Sequence, residues 1–434
     1  MKALLKIRNE DVRMDLVQVT ALGAIVGLVI AIVLIFIKIP PVYSLMIGAL
    51  IGGIVGGATI TETINLMVSG ASGMMTSVLR ILAAGILAGT LIESGAAETI
   101  AQSIIKWVGE TRALLAMAVA ALLLTAVGVF IDIAIITIAP IALLIAERTN
   151  ISKSAILLAM IGGGKAGNIV SPNPNTIAIA GAFDAPLTSV MIAGIIPAIF
   201  ALIVTFFLAN RLVNKGSVVE NVQRDDISIQ KELPVFWKAI SGPIVAIALL
   251  ALRPLADISI DPMIALPIGG IVGALIMGKG KNIIHYMKTG LASMTGVAII
   301  LIGTGTIAGI IQNSTLGDVL INAISGLGLP IFLLAPISGI LMSAATASTT
   351  SGATVAGQVF GRTLMDAGVA PLSGAAMVHS GATVLDHLPH GSFFHATSGA
   401  VGMAFNERLK LIPYESLIGL TQTIVSTIMF GILL

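Results

Sequence analysis

The chain has 434 residues, 56% of them hydrophobic and 10% charged, with a net charge of +2 and no cysteine; its mean hydropathy is +1.05. That much apolar surface exceeds what a soluble core can hold, so the composition specifies an all-α polytopic membrane protein. The small, dispersed charge excludes a nucleic-acid partner, and the missing thiols exclude a disulfide framework and a thiolate metal site.

Leu16 to Ile37 is apolar for long enough to span a bilayer and ends on Lys38 without a small-residue cleavage site, which predicts a retained membrane helix within residues 1–40. Residues 41–210 carry spans at Val42–Gly57 and Ala71–Ile92, the latter followed by basic Lys106 and Arg112. Ala113–Ala146 is too long for one crossing of ~20 residues and short for two, and basic residues flank both ends. It reads as a re-entrant hairpin with its tip near Val129 to Ile133. Ala155–Phe183 then crosses, but Ser171-Pro-Asn-Pro-Asn-Thr176 interrupts it, because two prolines remove backbone donors and block the helix. Leu187–Asn210 returns. Residues 211–262 make a polar cytoplasmic linker and a connecting span from Phe236 to Leu252.

Residues 263–434 repeat these parts: spans at Met263–Gly278 and Leu291–Ile311, a hairpin at Ile331–Phe360 with its tip near Ala347 to Gly352, a segment Leu372–Ala396 broken from Asp386 to Ser392, and a last span from Tyr414. The copies are visible as strings. IGGIVG stands at 51–56 and again at 268–273, GASGMM (70–75) is answered by GLASMT (290–295), and AGTLIESG (88–95) by AGIIQNST (308–315). The charges of equivalent loops are swapped: residues 57–70 have no Lys or Arg where the second copy has Lys279, Lys281 and Lys288, and Lys106 and Arg112 face a loop without basic residues. By the positive-inside rule the two repeats are inverted, the pattern of secondary transporters with a midplane site. This topology puts Lys2, Lys6, Arg8 and Arg13 outside. Either the first helix does not cross or those charges are outvoted.

Hairpin tips and broken helices should meet at the midplane, and they are polar where a membrane least tolerates polarity. The first tip holds Asp132. The first break holds Asn168, Ser171, Asn173, Asn175 and Thr176, preceded by Lys165; the second tip holds Ser348, Thr349, Thr350, Ser351 and Thr354. The second break carries His379, Ser380, Thr383, Asp386, His387, His390 and His395. Unwound helices offer unpaired N–H groups and partial positive charge to a carboxylate, and hydroxyls and amides bind it without a buried charge. The hydroxyl, amide and lysine residues, with His379, are therefore candidate substrate ligands; Asp132, Asp386, His387, His390 and His395 are candidate coupling-ion residues, histidine because it titrates near neutrality. Lys165 is a fixed cation for a carboxylate or else the ion-pair partner of Asp132 or Asp386. Arg80 snorkels or pairs with Glu62 or Glu93. Zinc on His387 and His390 would need a helix that Pro389 opposes, so no metal, cofactor or enzyme chemistry is expected.

The stretches LAGTLIESGAAETIA (87–101), VFIDIAIITIAPIA (129–142), GGGKAGNIVSPNPNTIAIAG (162–181), TSGATVAG (350–357) and HSGATVLDHLPHGSFFHATSG (379–399) are similar in type and order to motifs of the gluconate permease (GntP) family of the ion transporter superfamily. That resemblance implies proton-coupled uptake of small hydroxy-carboxylates such as gluconate across a bacterial cytoplasmic membrane, by a homodimer whose hairpins ride a mobile elevator domain. It also implies a site at Asp132, Asn168 to Thr176, Ser351 to Thr354 and Asp386 to Phe394. The chain departs from the family pattern at SPNPNT, at LPHGSFF and at Lys165, where histidine is common. The alternative from the same superfamily is a sodium/proton antiporter using Asp132 and Asp386.

Overall fold

The computed structural model describes residues 18–109, 112–219 and 233–434, which form helices joined by turns and loops, with one isolated bridge between Val19 and Ser314. Lys2, Lys6, Arg8, Arg13 and residues 220–232 of the polar linker lie outside the described residues. The first helices are α1 (Ala21–Phe36), α2 (Pro41–Val55), α3 (Ile60–Gly73), α4 (Met75–Glu93) and α5 (Ala96–Val108). Two of these differ from expectation. α3 occupies most of the loop expected before Gly70, started by a capping box in which Thr59 N donates to Glu62 Oε2 at 2.7 Å and Glu62 N to Thr59 Oγ1 at 3.3 Å. α5 is a short amphipathic helix that buries Ile100, Ile104 and Ile105 and leaves Lys106 in its last turn.

The first hairpin is α6 (Ala113–Ala126) and α7 (Ile131–Thr149), turned by Gly128 at φ 103°. The first broken helix is α8 (Lys153–Asn168) and α9 (Pro174–Ala182), with Pro174 opening the second half as the sequence required. α10 (Leu187–Ala193) and α11 (Ile195–Leu212) complete the half. The second half runs α12 (Phe236–Ala239), α13 (Ser241–Ala256), α14 (Pro262–Ile276), α15 (Ile283–Gln312) and α16 (Leu316–Gly326), the last again helical where a loop was expected. Its hairpin is α17 (Leu334–Thr346) and α18 (Thr349–Asp366), turned by Ala347 in the left-handed region at φ 45°. Its broken helix is α19 (Pro371–Gly381) and α20 (Ser392–Ala400), followed by α21 (Phe405–Leu409) and α22 (Ile412–Thr427). The break opens at Ala382, ahead of the expected Asp386. Met75–Glu93, Leu187–Leu212, Gly280–Gln312 and Phe405–Leu433 are long and apolar enough to cross a membrane.

α1 to α4 pack with α13 to α15, while the first hairpin, α11 and α22 pack against α8, which is buried from Ser154 to Asn168, and the second hairpin packs on α9, α15 and α19. Glycine permits the closest crossings of the first group. Gly70 of α3 meets Gly305 and Gly309 of α15, and Gly290 of α15 meets Gly85 and Gly89 of α4, so that a methyl group at any of these positions would overlap facing backbone. α4 and α14 also meet through Arg80, whose guanidinium donates to both carboxylate oxygens of Asp261 at 2.6 and 3.1 Å. This corrects the expected partners of Arg80. Glu62 is engaged in its capping box, and Glu93 lies at the far end of α4 beside His285 and Thr289.

A latch ties the end of the first half to α21. Glu407 accepts from Ser217 N and Oγ, both at 2.8 Å, and from Ser154 Oγ at 2.9 Å.

Candidate functional site: a cavity between the hairpin tips

A cavity of about 320 Å³ lies where both hairpin tips and both breaks meet. Its polar lining is Asp132, Asn168, Asn175, Ser348, Thr349, Thr350, Ser351, Asp386, Ser392 and, from α15, Ser293; Phe130, Ile131, Ile133, Phe393, Val297 and Ile300 supply the apolar wall. The first turns of α7, α9, α18 and α20 all reach this lining, so four helix N-termini converge on one volume. Among the described residues no Lys, Arg or His is part of it.

Local sequence explains each tip. Asn173 caps α9, accepting from Asn175 N at 3.0 Å and Thr176 N at 3.1 Å, and its amide nitrogen donates back across the break to Asn168 O at 2.9 Å and Oδ1 at 2.5 Å. This side chain is thus consumed in holding the break open, and Asn175 is left at the cavity wall. Ser348 caps α18 by accepting from Ser351 N at 3.3 Å. The Thr350 hydroxyl donates to Asn175 Oδ1, which joins the second tip to the first break. Asp132 is half-buried and accepts from Ile133 N at 2.9 Å; no cationic partner faces it among the described residues.

Behind the wall lies a buried chain of charge. Lys165 is 1% exposed, and its ammonium donates to Asp386 Oδ1, to Thr383 O at 2.5 Å and toward His387 Nδ1 at 3.2 Å. Three acceptors match its three protons. Thr349 Oγ1 donates to the other Asp386 oxygen at 2.5 Å, so Asp386 links Lys165 to the cavity lining. The His387 ring lies with Nε2 3.1 Å from Ile412 O and Nδ1 3.0 Å from Asp386 Oδ1, beside the Lys165 ammonium. Its Nδ1 lies 3.9 Å from Glu415 Oε2, and Glu415 is paired with Arg408. Arg408 and Glu415 are both fully buried. Sequence reading placed Arg408 in an inner loop and passed over Glu415. The usable signal was an acidic residue inside the last apolar span with a basic residue two turns before it.

Several expected ligands are not at the cavity. Lys165 takes the ion-pair alternative, and Thr383 and Ser380 are turned to the backbone, donating to Ser380 O at 2.7 Å and Met377 O at 3.0 Å. Ser171, Thr176 and Thr354 are buried in the packing around the breaks and outside the lining. His379 is buried beside Ser380 and Ser426, against Gly194 and Pro197. His390 and His395 line a different cavity from Asp386, and His387 is buried outside both. The physical reason is common to them: a helical period turns only part of each polar run toward any one point.

The fold is that of a multi-pass helical membrane protein, and the family and relatives that match the chain are permeases and transporters, not enzymes. The sequence profile of the GntP family permease matches residues 16–433, and the chain belongs to that family. It is 61% identical, over 95% of its length and 99% of the relative's, to an uncharacterized transporter of Haemophilus influenzae. It is 25% identical to a gluconate permease of Pseudomonas aeruginosa, covering 77% of this chain and 80% of that one, and 22% identical to the D-serine transporter DsdX of Escherichia coli, covering 74% and 79%. Its fold is shared with the YdaH transporter of Alcanivorax borkumensis, a structure of unusual topology, at a TM-score of 0.65 and 18% identity over 86% of this chain and 89% of that one.

Proposed function

We propose that the protein carries small hydroxy-carboxylates such as gluconate together with protons across a bacterial cytoplasmic membrane. The observation that carries this is the convergence of four helix N-termini, the hydroxyl run of the second tip and two asparagines on a cavity with no cationic side chain among the described residues. Oriented N–H groups and hydroxyls favour a carboxylate and its neighbouring hydroxyls. Asp132 supplies the coupling. Two carboxylates at close range resist joint ionisation, so a bound anion demands a proton on Asp132, and each releases the other on departure. In this reading Asn168, Asn175, Ser348, Thr349, Thr350 and Ser351 touch substrate. Lys165, Asp386 and His387 hold the second break in place from behind.

The halves are read as inverted repeats moving as an elevator. Supporting this, Gly70, Gly85 and Gly89 correspond in the sequence repeat to Gly290, Gly305 and Gly309, and the contact of Gly70 with Gly305 is matched by that of Gly290 with Gly85. A pseudo-two-fold axis exchanges such pairs. In the same way α1 meets α2 through Gly23 and Gly52, and α13 meets α14 through Gly242 and Gly269, which extends each repeat to include α1 and α13. α1 to α4 and α13 to α15 are then the static scaffold of a homodimer, and the hairpins move. Crosslinking of cysteines placed on the two groups, trapped in two registers, tests the movement; mass measurement of the solubilised protein tests the dimer. Uptake of labelled gluconate into proteoliposomes under an imposed pH gradient tests the function, and uptake equally driven by a sodium gradient alone would refute proton coupling.

A further inference from the structure

A second cavity, of about 480 Å³, lies on the other flank of the second hairpin tip. Ala347, Ser348, Ser351, Ser392 and Ile300 border both cavities, so a single layer of side chains separates them. The new residues it brings in are Lys38, just past α1, and His390 and His395 from the second break. All of its titratable lining residues are basic: no Asp or Glu lines it among the described residues.

Three further observations point to an anion. His390 Nε2 is buried without a hydrogen-bond partner among the described residues, and its ring is held against Phe36 with centroids 4.8 Å apart. A buried polar nitrogen left this way carries a desolvation penalty that a ligand oxygen would remove. α20, nine residues long, starts at Ser392 without a side-chain cap, so its first N–H groups have no side-chain acceptor. Lys38 follows α1 in the left-handed region at φ 68° and brings the cavity its one ammonium among the described residues. His395 is oriented by Nε2 donation to Pro389 O at 2.8 Å, which leaves Nδ1 as its second polar atom.

We propose that this cavity is a second carboxylate-binding site, in which Lys38, His390, His395 and the free end of α20 hold the transported anion on its way to or from the central cavity. The proposal rests on the organic-anion reading above and adds a waiting site to it. The anionic group of a lipid has the same chemistry as a substrate carboxylate at such a site, and the test separates them.

The full-length protein in phosphatidylcholine nanodiscs is titrated with labelled gluconate by equilibrium dialysis. Two equivalents per protomer are expected for the wild type. Lys38→Gln/His390→Gln should retain one, with the affinity of the central site, and that residual equivalent also reports that the variant is folded. Lys38→Gln alone, at an exposed position, should weaken the second equivalent by about tenfold, the loss of one charge-assisted hydrogen bond. A single equivalent in the wild type, or two undiminished equivalents in the double variant, overturns the proposal. Displacement of the second equivalent when phosphatidylglycerol replaces part of the lipid assigns the cavity to lipid headgroups and overturns it as well. Absence of binding by any carboxylate across a broad panel removes the organic-anion reading, and the waiting site falls with it.

Discussion

Lys165 is where the two roles of a buried cation can be separated by experiment. Lys165→Met keeps most of the volume and removes the charge, leaving Asp386, 5% exposed, without its counter-ion. Removing one partner of a buried pair is destabilising by about 3–5 kcal/mol, chiefly because the other charge stays behind. Here the Thr383 carbonyl and His387 Nδ1 also lose a donor, which places the effect toward the upper part of that range. Asp386→Asn, which leaves the lysine alone, should be similar in size. The double variant should be less destabilised than the sum of the two by a few kcal/mol, because no uncompensated charge remains. Thermal unfolding of the detergent-solubilised protein, with gluconate binding measured on each variant, reads both roles. A Lys165→Met protein of wild-type stability that has lost only its affinity for gluconate would show the lysine to be a ligand and refute the reasoning.

Thr350→Val removes the hydroxyl that ties the second tip to Asn175; it should weaken gluconate binding about tenfold, while global stability changes by about 1 kcal/mol or less, as binding and unfolding measurements would report. Gly290→Ala forces a methyl into the Gly85 carbonyl and should destabilise the crossing of α4 and α15 by about 1–3 kcal/mol, seen as a lowered thermal midpoint. Glu407→Gln leaves the Ser217 N–H and the Ser154 and Ser217 hydroxyls facing a neutral amide and should cost the latch about 1–3 kcal/mol, seen as a lowered thermal midpoint.

What was legible in the sequence is what local chemistry decides. Pro172 and Pro174 break a helix wherever they stand, and a length that fits neither one crossing nor two gives a hairpin. The amphipathic helices α5 and α16 were missed because they are too short and too polar to register as spans. The composition of the cavity was legible as a pool of polar residues, but not the choice among them. Asn173 and Thr383 are as polar as Asn175 and Thr350, yet the first pair is spent on backbone groups. The pairing of Lys165 with Asp386 joins residues far apart in the chain, and it depends on how α8 meets the second break, which no local pattern encodes. Arg408 and Glu415 were overlooked for the converse reason: their neighbours in sequence look like an inner loop, and only the packing buries them.

The central claim is that a carboxylate and a proton bind together at the cavity, with Asp132 as the proton's acceptor. The most direct measurement is accumulation of labelled gluconate and related hydroxy-acids in proteoliposomes, driven by a pH gradient or by a sodium gradient, for the wild type and Asp132→Asn. The account predicts accumulation driven by the pH gradient in the wild type, and in Asp132→Asn exchange without accumulation. Sodium-dependent proton movement with no carboxylate uptake would contradict it and put the antiporter in its place.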